Sequence, residues 1–251
     1  MSIRFSPVYV LVMVAVCLPH AEMLLRYRRT TAPYSVGNEK HPASTSEVTA
    51  WIGSKKAVYS DEGYRTILTF PTNTLTVIDS TEKAFTVIQC DSIRSMVDQV
   101  IEENTEDAQS AAAMKAMMEG IMGNVLQGAM TVTNTGEPRT IGTWKCTRYT
   151  VAMQLAVGAT ESETWITDQI KIDAKAFNLM KNGLMALLPG FESVTREIEK
   201  IKGVPVKTVT SYQTANATIT TTETLVECSE KAAPEGMYSI PEGYARRNLT
   251  D

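Results

Sequence analysis

Residues 56–89 read KAVYSDEGYRTILTFPTNTLTVIDSTEKAFTVIQ, a stretch in which short runs of β-forming residues alternate with turn segments. β-Branched and aromatic residues favour extended strands, and linkers as short as Asp-Glu-Gly favour hairpins. The segment therefore predicts an antiparallel meander. A further predicted strand, Glu47–Ile52, precedes the segment. The strands within it are Lys56–Ser60, Tyr64–Phe70, Thr74–Asp79 and Ala84–Ile88.

The pattern changes to a helical period after this meander. Apolar residues recur at intervals of three and four within Asp91–Glu103 and Met114–Leu126, and they do so again within Ala174–Leu188. A short fourth helix is predicted over Phe191–Ile201. The remaining predicted strands are Met130–Thr135, Thr140–Gln154, Glu161–Ile166, Val204–Thr214 and Thr218–Ser229.

The first 21 residues have the composition of an export signal. Arg4 supplies a positive charge, Val8–Leu18 is an uninterrupted apolar run, and Ala21 offers a small residue at a cleavage point. A helical bilayer span needs about 20 apolar residues, so this run is too short for a permanent anchor. We expect cleavage after Ala21 and a location in the periplasm or cell envelope. Lipidation of Cys17 is less favoured, because Val16 rather than a small residue precedes it.

The chain beyond the signal shows no linker that would divide it into domains. We therefore predict a variable segment at residues 22–43 and one α+β domain over residues 44–251.

The 251 residues carry 24 basic and 28 acidic side chains, a net charge of −4 that argues against nucleic acid as a partner. His20 and His41 are the only histidines, which excludes histidine-based triads and multi-histidine metal sites. We predict no cofactor and no metal.

Export makes disulfide bonds permissible, and the processed chain retains Cys90, Cys146 and Cys228. At most one intramolecular bridge can form from three cysteines. Cys146 and Cys228 both lie on predicted strands and are the favoured pair. Three buried, unbridged thiols remain the alternative.

Four short motifs carry a family resemblance. They are TIGTWKCTRY at residues 140–149, ETWI at 163–166, GVPVK at 203–207 and SIPEGY at 239–244. Together they resemble a family of exported bacterial proteins described only as a domain of unknown function, which is similar to the periplasmic lipoprotein carriers of the Lol system. The resemblance implies an antiparallel sheet curled into an incomplete barrel, with helices closing its concave side over an apolar cavity. It implies no catalytic residues.

A methionine-lined cavity is the functional hypothesis that follows. Unbranched methionine side chains repack around apolar ligands of varied shape, so helices rich in methionine suit a lipid or a lipoprotein acyl chain. Simple core filling is the competing interpretation of the same spacing. The predicted lining residues are Met114, Met117, Met118, Ile121, Met122, Leu126, Phe177, Met180 and Leu184.

A structural or partner-binding envelope scaffold without a ligand is the main alternative function. In that case the threonine-rich hairpin Val204–Ser229, if exposed, offers a strand edge to an envelope protein partner. Isolated tryptophans at 51, 144 and 165 would suit carbohydrate stacking, although tryptophans within strands are more often part of the core.

A carboxylate-based hydrolase is the least favoured class. Alternation along a strand places Glu161 and Glu163 on one face, and Asp168 with Asp173 is a second candidate pair. Carboxylates on solvated faces are far commoner than catalytic pairs. No GxSxG motif marks a serine nucleophile. We therefore expect a protein that is not an enzyme.

Overall fold

The computed structural model describes residues 22–92, 95, 101–102, 105, 107–110, 112–116, 130–155, 158–172, 192–213 and 217–248. Of these residues, 61% lie in strands and 13% are helical. The predicted α+β class, with helices packed over a curled sheet, is therefore wrong: the described chain is mostly β and its main sheet does not close. Local periodicity underestimated the strand content relative to the helix content. A strand extends as far as a neighbouring strand pairs with it, which is further than its own residues indicate.

The strands and the helix of the described chain are numbered in sequence order. The strands are β1 Glu22–Thr31, β2 Tyr34–Val36, β3 Glu39–His41, β4 Ser44–Ile52, β5 Lys56–Asp61, β6 Tyr64–Thr69, β7 Thr74–Asp79, β8 Ala84–Gln89, β9 Met130–Ile141, β10 Trp144–Leu155, β11 Gly158–Thr167, β12 Val204–Gln213, β13 Thr218–Lys231 and β14 Ala245–Arg246. One helix has both of its ends in the described residues, α1 Glu192–Ile198. The described residues 95, 101–102, 108–110 and 112–116 are also helical, and 3₁₀ turns occupy Phe70–Thr72 and Cys90–Ser92.

Twelve strands form one sheet in the order β14–β8–β7–β6–β5–β4–β1–β13–β12–β11–β10–β9, and β2 and β3 form a separate pair. Neighbours in the large sheet are antiparallel except β14 and β8, which are parallel. The predicted antiparallel sheet is thus confirmed, and the meander of residues 47–88 appears as β4 to β8.

The middle of the sheet is β1, a strand within residues 22–43, which the sequence analysis assigned to a variable segment outside the domain. It pairs antiparallel with β4 on one side, through contacts such as Leu25 with Ala50, and with β13 on the other, through Tyr27 with Leu225. The meander β4–β8 and the meander β9–β13 therefore meet at β1. With a neighbour on each edge, β1 can pair its backbone N–H and C=O groups along its whole length, whereas an edge strand leaves half of them unpaired.

The threonine-rich hairpin lies inside the sheet. Its first strand, β12, pairs with β11 along Ala159–Thr167, and its second strand, β13, pairs with β1 along Glu22–Thr31. The suggestion that this hairpin offers an edge to a partner is therefore wrong. Threonine favours the pleated surface equally at an edge and in the interior, so its composition could not distinguish the two positions.

The β9 end of the sheet is protected against a further strand. The Val132 N–H donates to Glu197 Oε2 of α1 at 2.8 Å, and the Gly136 N–H donates to Asn134 Oδ1 at 2.9 Å. Pro138, in the same strand, has no N–H to donate. Side-chain acceptors and a proline thus remove backbone donors that would otherwise recruit a foreign strand.

The segment after β13 covers part of the sheet. Its residues Met237, Tyr238 and Tyr244 pack against a buried cluster that includes Trp51. Arg65 holds the segment by donating to backbone carbonyls, at 3.1 Å to Gly236, 3.3 Å to Met237 and 3.0 Å to Ser239.

The largest buried cluster, named the central core, joins both halves of the sheet. Its buried members are Leu25, Tyr27, Val48, Ala50, Ile52, Ala57, Cys146, Trp165, Ile170, Val204, Val206 and Leu225. A second cluster packs α1, through Val194, against β9 and β10.

The predicted helices have different outcomes. The helix α1 falls within the predicted Phe191–Ile201. Ala174–Leu188 lies outside the described residues, and Asp91–Glu103 and Met114–Leu126 lie largely outside them.

Gly203 is the glycine most closely confined by its surroundings. Its φ is +122°, and a Cβ added to it would lie 2.3 Å from the Thr167 carbonyl oxygen. We expect Gly203→Ala to lower the free energy of unfolding by about 3 kcal/mol, because strain and a backbone clash combine. Urea unfolding measures this loss.

The control is Gly142→Ala. Gly142 also has a positive φ, +59°, but an added Cβ would meet nothing within 4 Å. The Gly142→Ala substitution should lower the free energy of unfolding by only about 1 kcal/mol, because the left-handed backbone is its sole source of strain. Equal losses in the two variants would contradict the confinement of Gly203.

Candidate functional site

A partly buried charged cluster lies where three strands meet. Arg29 of β1, Tyr59 and Asp61 of β5, and Glu223 of β13 form it, and we name it the Arg29 cluster. Arg29 and Glu223 are cross-strand partners, and alternation puts Arg29 on the face of β1 that carries Leu25. The cluster therefore borders the central core.

Arg29 is fully engaged by its neighbours. Its Nε and Nη2 donate to Glu223 Oε1 at 2.9 and 2.8 Å, its Nη2 donates to Tyr59 Oη at 2.7 Å, and its Nη1 pairs with Asp61. About a quarter of each charged side chain is exposed. One cation between two carboxylates leaves a net charge of −1, and the guanidinium has little capacity to hold a ligand.

Burial sets the acid–base behaviour of the tyrosines nearby. It raises the pKa of Tyr59 to about 12, although the Arg29 charge opposes the shift. Burial, followed by the charge of Glu223, raises the pKa of Tyr27 well above its ordinary value. Both phenols therefore stay protonated at neutral pH, so neither serves as a base. The Arg29 cluster is best understood as a connection between β5, β1 and β13.

Replacing Arg29 should destabilise the protein, because its two carboxylate partners would lose their cation. Arg29→Met leaves Asp61 and Glu223 without their cation in a partly buried place, and we expect a loss of about 2–4 kcal/mol in chemical denaturation. The control Arg247→Met breaks an exposed pair with Glu82, which is 3.3 Å long, and should change stability by less than about 1 kcal/mol. Similar losses in the two variants would contradict a connecting role.

A cleft opens at the start of β1, and we name it the Met23 cleft. It measures about 370 Å³, at the lower end of the range for small-ligand sites. Met23, Ile52 and Ile172 provide its apolar surface, and all three belong to the central core or pack against it. Its polar rim carries one cation and one anion. The complete lining is Met23, Ile52, Gly53, Ser54, Lys171, Ile172 and Glu230.

Two of the three cysteines border the central core without a bridge. Cys146 lies buried within it and Cys228 packs against it, yet both thiols are free. The predicted Cys146–Cys228 disulfide is therefore wrong. The strands β10 and β13 are three spacings apart in the sheet, about 14 Å, whereas a disulfide requires Cα atoms within about 7 Å.

The free thiols have other neighbours. The Cys146 thiol contacts the Trp144 carbonyl oxygen, and the Cys228 Sγ lies 3.5 Å from the Met23 Sδ beside the Met23 cleft. Burial raises the pKa of both thiols, so they remain protonated.

Most of the predicted cavity-lining residues lie outside the described part of the chain. Met114 is described and is 44% exposed. The remaining residues, outside the described ranges, are Met117, Met118, Ile121, Met122, Leu126, Phe177, Met180 and Leu184. The hypothesis that these side chains line a cavity stays a prediction. The lining of the Met23 cleft includes Ile172, which is close in sequence to the last three of them.

Among the alternative site residues, Glu161 and Asp168 are exposed, whereas Glu163 has structural partners. Glu163 pairs with Arg148 at 2.7 Å and accepts a hydrogen bond from Trp165 Nε1 at 2.9 Å. Trp51 and Trp165 are buried, in agreement with a core role. Asp173 lies outside the described residues.

Two kinds of feature are absent from the described residues. No group of three or more His, Cys, Asp or Glu side chains is placed to hold a metal ion in the ranges that the structure covers. No helix in those ranges combines the length and apolarity needed to cross a bilayer.

Comparison with known proteins identifies the family. A family described as "Domain of unknown function (DUF4412)" matches residues 56–244. The chain belongs to this family. No curated protein matches it. The DUF4412 match begins at the first residue of β5, so β1 and β4 precede the matched residues.

One solved structure aligns over most of the chain. It is described as "Structure of PNGF-II in C2 space group" and has a TM-score of 0.37 and 9% sequence identity. The alignment covers 90% of this chain and 31% of that one, so this DUF4412 protein spans about a third of the length of its structural match.

Proposed function

We propose that this protein is an exported envelope protein without enzymatic activity, and that it holds an apolar or amphipathic ligand in the Met23 cleft. We infer a lipid or a lipoprotein acyl chain as the ligand class. The observation that carries the proposal is the continuity between the apolar lining of the cleft and the central core. An acyl chain entering there would exchange water for an apolar environment.

The lining of the cleft has the composition of an amphipathic binding site. Met23 is unbranched and adjusts to ligands of different shape, while Ile52 provides a fixed, buried wall. Lys171 and Glu230 are exposed at the rim, where a polar headgroup would remain in contact with water. The motif resemblance to lipoprotein carriers supports the same ligand class.

Export to the periplasm or cell envelope is supported by the sequence of residues 1–21. Arg4, the apolar run Val8–Leu18 and the small residue Ala21 follow the order of a cleavable export signal. The strand β1, described from Glu22 onward, belongs to the chain that such cleavage would leave.

A non-enzymatic role is supported by the occupied carboxylates. Asp61 and Glu223 both bind Arg29, and Glu163 binds Arg148 and Trp165. A general acid or base needs a group free to exchange protons with a substrate. These carboxylates are already committed to structural partners.

Replacing Ile172 tests the proposal. We expect Ile172→Glu to weaken binding of the neutral apolar dye N-phenylnaphthylamine at least fivefold, because the carboxylate places charge on the apolar lining. The matched control is Ile240→Glu, at an isoleucine that is 38% exposed and outside the lining. Fluorescence titration gives both affinities, and circular dichroism confirms the fold of each variant.

Native mass spectrometry of the protein purified from its own envelope without detergent provides the second measurement. A lipid mass that organic extraction releases from the parent and that Ile172→Glu lacks would support the proposal. A ligand-free mass, together with no dye uptake by the parent, would contradict it and favour an envelope scaffold.

A further inference from the structure

The β1–β4 ribbon continues beyond the sheet as a projecting arm. Thr31 pairs with Ser44 at the end of the large sheet, and the same register resumes with Tyr34 opposite His41. We name residues 33–42 the arm. Its exposed side chains include Val36, at 42%.

A pair of prolines separates the arm from the sheet. In the register shared by the two ladders, Pro33 stands opposite Pro42. Neither residue has an N–H group, so no ladder hydrogen bond can form between them. The ladder is interrupted at this point, and β2 and β3 form a sheet of their own.

A cleft lies at this interruption, and we name it the arm cleft. It measures about 370 Å³ and is lined by Pro33, Tyr34, Ser35, Lys40, His41 and Pro42. Its residues come from both strands of the arm and from the proline pair. The arm cleft is separate from the Met23 cleft, which lies at the opposite end of the same ribbon.

Two aromatic rings form a flat platform in the arm cleft. The rings of Tyr34 and His41 are stacked with centroids 4.5 Å apart and an angle of 12° between their planes. Because each ring supports the other, the platform is ordered without being buried in a core. The His41 Nε2 also lies 3.8 Å from Glu39 Oε1.

Polar groups adjoin the platform. The His41 ring nitrogens and the Glu39 carboxylate provide them, because alternation places Glu39 on the same face of the arm as His41. A flat apolar surface beside a few hydrogen-bonding groups suits a ligand with an apolar face and a polar perimeter. A pyranose ring has this form: its axial hydrogens make an apolar face, and its hydroxyls point outward around the edge.

We propose that the arm cleft binds a saccharide, with a sugar ring lying on the Tyr34–His41 platform and its hydroxyls hydrogen-bonded to His41 and Glu39. A proline-rich peptide is disfavoured because such peptides dock into grooves between several aromatic side chains, and here the two rings form a single stack. The inference does not depend on the ligand of the Met23 cleft.

Isothermal titration of the full chain with a tetramer of β-1,4-linked N-acetylglucosamine, and separately with maltotetraose, tests the proposal. Saturable binding of at least one of them is expected. Tyr34→Ala should raise the Kd at least tenfold, while Tyr34→Phe, which retains the ring, should stay within threefold of the parent. The control is Tyr64→Ala, because Tyr64 is 52% exposed and lies outside the arm.

The arm has its own ladder, so these variants should leave the large sheet folded, and circular dichroism checks this. Glu39→Ala, which keeps the platform, should weaken binding at least threefold, whereas Ser35→Ala, on the opposite face of the arm, should stay within threefold of the parent. The proposal is overturned if neither saccharide binds, if Tyr64→Ala weakens binding as much as Tyr34→Ala, or if a proline-rich peptide binds through Tyr34 and the saccharides do not.

Discussion

The pairing of β1 along both of its edges is the constraint on which the rest of the structure depends. One edge joins β4, close in sequence, and the other joins β13, about 200 residues further along the chain. In the sheet order, this strand stands between the two meanders. Its side chains also supply Leu25 and Tyr27 to the central core and Arg29 to the charged cluster. Backbone pairing, apolar burial and ion pairing thus reinforce one another at one strand.

The two proposed binding clefts lie at opposite ends of the ribbon that β1 begins. The Met23 cleft opens where β1 starts and β4 ends, and the arm cleft opens beyond the proline pair. Neighbouring strands support the ribbon at the Met23 cleft, whereas the arm cleft lies beyond the end of the large sheet. The Arg29 cluster lies between them, and its saturated hydrogen bonds suit a structural connection rather than a binding site.

The site could be predicted only in part, because its residues come from distant parts of the chain. Met23 and Ile172 are about 150 positions apart, and nothing in the sequence near either residue marks it as part of a cleft. The methionine spacing after Glu102 was a more conspicuous sign of a ligand site than any residue of the Met23 cleft. The cysteines show the same difficulty: Cys146 and Cys228 border one core, yet the sheet order keeps their strands too far apart for a bridge.

Local residue chemistry alone determined the strands of the meander. Thr74–Asp79 was predicted with the bounds that β7 has, because β-branched residues between turn residues specify a strand without help from distant contacts. Tertiary structure decided the role of Glu22–Thr31. Its arginines obscure the alternation of apolar and polar residues, and one of its partner strands is close in sequence while the other is far along the chain. Tertiary structure also placed the threonine-rich hairpin in the interior of the sheet. A strand's residues determine that it is extended, but its neighbours are determined by ladder pairing and burial over the whole chain.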